Sequence, residues 1–115
     1  MQTTFPPEQV TSWVLEETDD GISFRFSRPV PLGDSNIGPI GAELFRIADQ
    51  LAHRRLTIDL GNVTSLDSTV LGRLVGLYAK LREIGGRLAL RNASAAVYEV
   101  FKITRLDSVL GATPA

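Results

Sequence analysis

The sequence predicts a single α/β domain, a mixed sheet opened by an N-terminal hairpin, with helices packed mainly on one face. Three observations carry that prediction. Near the start, Ile22, Phe24 and Phe26 alternate with Ser23, Arg25 and Ser27, the period of a strand with one polar face. Further on, helical-period segments alternate with the short apolar runs Leu56 to Leu60 and Arg87 to Arg91. Alternation of helix and strand builds a sheet with right-handed crossovers. Finally, 115 residues leave room for one domain and not two.

Taken in order, residues 1–10 are expected to form a flexible arm, because Pro6-Pro7 forbids regular structure there. The folded domain is expected over 11–110. Thr11 to Glu16 reads as a strand, and Asp19-Asp20-Gly21 as the turn into the alternating strand, which makes an antiparallel hairpin at the sheet edge. Arg28 to Gly38 reads as a Pro/Gly-rich connection. Ile37, Ile40, Leu44, Ile47 and Leu51 then fall within about 80° on a helical wheel, a narrow core-facing stripe. Asp34, Ser35 or Asn36 is placed to cap that helix, and His53-Arg54-Arg55 to end it with cations at the negative end of its dipole. Trp13 and Phe45 read as packing residues, with Phe45 off the main stripe and open to a partner. A second helix runs from about Ser68 to Ile84 and stops at Gly85-Gly86. After the strand at Arg87 to Arg91, Ser94 caps a third helix with Val97, Val100, Phe101 and Thr104 on one face. Leu106 to Leu110 is expected as a short last strand, and 111–115 as a frayed tail.

Composition excludes several functions. With 43% hydrophobic and 22% charged residues, disorder and low-complexity tails are ruled out. A formal charge of −1 leaves no basic field for nucleic acid or an anionic membrane. No cysteine and the single His53 remove disulfides, thiolate sites and multi-histidine metal centres. Gly38-Pro39-Ile40-Gly41 lacks the lysine of a phosphate loop. No apolar run approaches the roughly 18 residues of a spanning helix. Met1 to Glu8 carries neither the basic region nor the apolar core of a signal peptide. The expectation is a cytoplasmic domain with no cofactor and no metal.

The segment Gly61 to Gly72 carries the sharpest signal. Asp67 is a natural N-cap, Leu66 and Leu71 occupy the two positions of a hydrophobic staple, and Ser68 lands in the first turn. Val70, Leu71, Leu74, Val75, Leu77, Tyr78, Leu81 and Ile84 fill half of the helical wheel and are expected to face the interior. Ser68, Gly72, Gly76, Ala79 and Glu83 fall on the other side. Two glycines inside a helix cost on the order of 1 kcal/mol each. They serve either close approach of a partner or relief of local crowding. A serine nucleophile would need a base or an elbow motif, and His53, fifteen residues upstream, supplies neither. The chain therefore reads as no enzyme.

Leu56-Thr57-Ile58-Asp59-Leu60, Val63, Leu66-Asp67-Ser68-Thr69, Leu71-Gly72, Gly85-Gly86-Arg87-Leu88 and the stretch Val97 to Leu106 resemble the STAS domain family. The match is close over 56–110 and loose over 11–55. STAS domains include bacterial anti-sigma factor antagonists and stressosome proteins. The resemblance implies a regulatory protein–protein switch in transcription, in which a partner serine kinase, itself the anti-sigma factor, phosphorylates Ser68 and a serine phosphatase reverses it. Thr69 and Ser65 are the alternative acceptors. Asp67, Ser68, Thr69, Gly72, Gly76 and Ala79 become the expected partner surface, on a monomer or weak homodimer. The other reading is a STAS scaffold of a stressosome-like complex that is never phosphorylated. Two departures stand out. Val70 occupies the place of the family's usual glycine, stiffening the loop, and the family's final helix is expected to be short or absent.

Overall fold

The computed structural model describes residues 12–115; the expected N-terminal arm lies outside the described residues. The hairpin forms as β1 (Trp13–Thr18) and β2 (Gly21–Phe26), paired antiparallel from Trp13↔Phe26 to Thr18↔Gly21. Its first strand begins and ends two residues later than expected, so Asp19 and Asp20 make the connection. Next come β3 (Val30–Leu32), α1 (Ile37–Ala48), β4 (Arg55–Asp59), β5 (Val63–Leu66) and α2 (Ser68–Glu83). The order closes with β6 (Arg87–Ala93), α3 (Ala95–Ile103) and β7 (Ala112–Pro114). The main sheet has the order β1-β2-β4-β6-β7, with β2, β4, β6 and β7 parallel, while β3 and β5 form a separate parallel pair.

The registers explain why one face of the sheet is covered. Phe24, Ile58 and Leu90 stand side by side across three strands, and all are buried. Their neighbours Arg25, Asp59 and Arg91 form the matching row on the opposite, polar face. Since side chains alternate along a strand, the helices have one apolar face to pack on. The buried residues of α1 (Ile37, Ile40, Leu44, Ile47), α2 (Val70, Leu74, Leu77, Leu81) and α3 (Val97, Phe101) join one cluster with that face. Trp13 stacks on Phe24 with ring centroids 5.5 Å apart, closing the β1 end of the core. Lys80 of α2 meets Asp49 at the end of α1 at 2.6 Å, and that hydrogen bond holds the lysine pKa above its usual range.

Four expectations need correction. The Arg28–Gly38 connection contains β3, whose Val30 and Leu32 are buried on either side of exposed Pro31. Three residues are too few to display a period. α1 stops at Ala48, before His53; the histidine sits in a following turn with φ +62°. A Cβ on Gly85 would lie 2.6 Å from its ring Nδ1, so the histidine packs against the end of α2. Leu106 to Leu110 is a turn, closed by Leu110 N–H donating to the Leu106 carbonyl at 2.9 Å, with Leu110 fully buried. The last strand lies in the supposed frayed tail. Gly111, at φ +65°, redirects the chain so that Ala112–Pro114 adds to β6. Among the described residues no helix follows α3.

Candidate functional site at the start of α2

Strand β5 buries Val63 and Leu66 and leaves Thr64 and Ser65 exposed. The chain enters α2 through Asp67, whose extended backbone (φ −112°, ψ −176°) is that of an N-cap. Its Oδ1 accepts a hydrogen bond from the Val70 N–H at 3.2 Å, and its Oδ2 accepts one from the Asp34 N–H at 3.1 Å. One carboxylate thus caps α2 and ties it to the loop ahead of α1. Gly33 permits the approach, since a Cβ there would sit 3.0 Å from Asp67 Oδ2. Asn36 holds that loop from the other side. Its Oδ1 accepts from Gly33 N–H at 2.9 Å and its Nδ2 donates to the Pro31 carbonyl at 2.8 Å. It stands at the N-cap position of α1 yet spends its side chain on the loop, making no cap bond.

Ser68 opens α2 and is exposed, and its hydroxyl makes no hydrogen bond among the described residues. Because Asp67 does the capping, the serine oxygen is spare. Helix geometry leaves the first-turn N–H groups without carbonyls one turn back, and the positive end of the dipole lies beside them. Thr69 is half-buried, and Ser65 is exposed on β5. Val70 is fully buried in the first turn. Its stiffness therefore lies inside the helix, anchored by the Asp67 bond, and not in a loop.

Down the helix, the structure separates the expected partner residues. Gly72 and Ala79 are exposed, and a Cβ on Gly72 would meet nothing within 4 Å. Gly76 turns toward α1 and is half-buried, where a Cβ would touch the Phe45 ring at 3.4 Å. Phe45 itself is half-buried, packed against the core cluster. Val75, expected inside, is 40% exposed. The signal was present in the wheel: Val75 stands seven residues after Ser68, about 20° away from it at 100° per residue. Ser68, Gly72, Val75 and Ala79 form one exposed stripe. The contribution of the Asp34 backbone, from 33 residues upstream, had no sequence signal beyond a turn-forming Gly-Asp pair.

A one-sided mixed sheet carrying three helices is an arrangement found among solved structures. An anti-sigma factor antagonist (STAS) domain protein from Planctomyces limnophilus superposes with a TM-score of 0.78 at 20% identity, covering 90% of this chain and 90% of that one. An anti-sigma factor antagonist from Mycobacterium paratuberculosis gives 0.74 at 20% identity, over 96% of this chain and 90% of that one. The Bacillus cell fate determinant SpoIIAA, in its phosphorylated form, gives 0.66 at 20% identity, over 90% and 91%. At such identities the likeness establishes the fold. The STAS domain family model matches residues 8–114, and the chain belongs to that family. Among the described residues no helix is long and apolar enough to cross a membrane.

Proposed function

We propose that this protein is an anti-sigma factor antagonist-like binding module of the bacterial cytoplasm, switched by phosphorylation of Ser68. The observation that carries the proposal is the division of labour at the start of α2. Asp67 caps the helix, which leaves an exposed serine hydroxyl with no structural task. The unmodified surface, Asp67, Ser68 and Thr69 with Gly72, Val75 and Ala79 below, binds an anti-sigma factor serine kinase. Gly72 lets the partner's backbone come close. The kinase brings ATP and transfers its γ-phosphoryl group to Ser68 Oγ; ADP leaves and the serine proton passes to the kinase's base. A serine phosphatase hydrolyses the ester and restores the hydroxyl. The chain itself needs no cofactor, metal, nucleic acid or membrane, and acts as a monomer or weak homodimer.

Electrostatics make this a switch of binding that spares the fold. Phosphate adds about −1.5 to −2 charges. At a helix N-terminus the dipole offsets them by roughly 0.3–1 kcal/mol, so α2 tolerates the modification. Against a partner's carboxylates the same charge costs several kcal/mol. About 3 kcal/mol is more than a hundredfold in affinity. His53 lies at the Gly85 end of α2, and the helix's 16 residues separate it from Ser68 by about 24 Å.

The test is phosphosite mapping on protein from its native host, under stress and at rest, alongside Ser68→Glu. Condition-dependent phosphate on Ser68 is expected, with S68E losing the kinase while unfolding within about 1 kcal/mol of the parent. Phosphate confined to Thr69 or Ser65 moves the site. No phosphate under any condition replaces the switch with the scaffold reading, a STAS subunit of a stressosome-like complex. The buried Val70 favours that reading, since a kinase must then accept a rigid helix end.

A further inference from the structure

A second group of unengaged donors lies at the opposite end of α2. A cavity of about 380 Å³ opens between the last turns of α2, the start of β6 and the turn before β7. Tyr78, Arg82, Arg87, Leu88, Ser108 and Val109 line it, and among the described residues no carboxylate does. Among the described residues the ion pairs are Arg46–Glu43, Arg54–Glu17, Arg55–Asp20 and Lys80–Asp49, so neither Arg82 nor Arg87 is neutralised. Arg82 instead donates from Nη1 to Tyr78 Oη at 3.1 Å. A phenol oxygen that accepts from a guanidinium turns its own hydrogen elsewhere, and that hydrogen has no acceptor among the described residues. Tyr78, Arg82, Arg87 and Ser108 therefore line one cavity, and none of them meets a carboxylate among the described residues. Apolar surface stands beside them: Leu88 is half-buried and Val109 is 47% exposed.

We propose that this cavity binds a small amphipathic anion, a carboxylate or phosphate monoester carrying a short aromatic or hydrocarbon body. The guanidinium forks of Arg82 and Arg87 take the oxygens of the head, where their planar geometry suits both chemistries. Tyr78 and Ser108 add neutral donors. The body lies against Leu88 and Val109 and sheds water from both. The volume falls within the range of small-molecule sites. The site is separate from the Ser68 surface, since the length of α2 lies between them, and its occupancy does not depend on the phosphorylation reading.

The probes are phenyl phosphate and benzoate, with inorganic phosphate and benzyl alcohol as the head and the body alone. Each is titrated into the full chain while backbone amide shifts are followed. Phenyl phosphate or benzoate is expected to shift Gly86, Leu88 and Gly111 saturably, with a dissociation constant of about 1 mM or tighter. The better of the two identifies the head. Inorganic phosphate and benzyl alcohol are expected to bind at least about tenfold more weakly, each lacking half of the contacts. Arg82→Gln and Arg87→Gln are each expected to weaken binding about tenfold with the remaining amide shifts unchanged. R87Q leaves the Arg82–Tyr78 bond intact, so it tests the charge without disturbing the cavity wall. Absence of saturable shifts at these amides overturns the proposal. So does benzyl alcohol binding as tightly as the anions, or an unaltered dissociation constant in both arginine variants.

Discussion

Asp67→Ala removes two acceptors at once, and the structure allows the cost to be worked out. The Oδ1 bond to Val70 N–H is the N-cap of α2, and its loss costs about 1 kcal/mol. The Oδ2 bond to Asp34 N–H joins groups 33 residues apart. It is charge-assisted but exposed, which leaves a contribution of about 0.5 kcal/mol. Together they give about 1.5 kcal/mol, or a melting temperature lower by about 6 °C for a domain of this size. Asp67→Asn separates the two bonds. An amide oxygen still caps one N–H, whereas the amide nitrogen accepts nothing, so D67N should fall between the parent and D67A. Urea denaturation with an unchanged slope measures the order. Hydrogen exchange adds a local readout, because the Asp34 amide should exchange faster in D67A as the loop loses its tie to α2. A D67A protein within about 0.3 kcal/mol of the parent would show that neither bond contributes to stability, and a D67N protein no more stable than D67A would show that the cap bond does not.

Gly72→Ala places a methyl group in open space on a helix. It should raise stability by roughly 0.5–1 kcal/mol, seen as a higher melting temperature, while weakening partner binding in a pull-down or titration. Gains in both would remove close approach as the reason for that glycine. Gly21→Ala puts a Cβ 1.7 Å from the Arg55 carbonyl oxygen in the neighbouring strand. It should cost more than about 3 kcal/mol or prevent folding, and a G21A protein melting with the parent would show that β2 and β4 do not approach so closely.

The parts of this molecule that are legible in its sequence are those set within one turn of chain. Asp67 and Ser94 cap the helices they precede, each accepting from the N–H three residues on, as short polar side chains do at that position. Gly85, at φ +78°, ends α2 with Gly86 N–H donating back to the Leu81 carbonyl at 2.7 Å, the C-terminal motif that the Gly-Gly pair announced. Phe24 and Phe26 alternate with polar neighbours, and the structure buries both. The spare hydroxyl of Ser68 also follows from local chemistry, since the aspartate before it is the stronger cap.

What escaped the sequence depends on pairing at a distance. β3 is three residues with a proline in its middle, and it becomes a strand only because β5 lies alongside it. Ala112–Pro114 resembles a chain end until β6 offers it hydrogen-bonding partners. Val75 is an apolar residue that no other described element covers, and Gly76, its sequence neighbour, is half-buried because Phe45 of α1 stands over it. Local sequence was enough to set the three helices, the caps of α2 and α3, and the spare serine hydroxyl at the head of α2, because those depend on contacts within a few residues. Long-range packing set which face of α2 remains open and made Asp34 share the cap. It alone brought Tyr78, Arg82, Arg87 and Ser108 to one cavity. Such outcomes depend on how distant segments of chain meet, which no local pattern records.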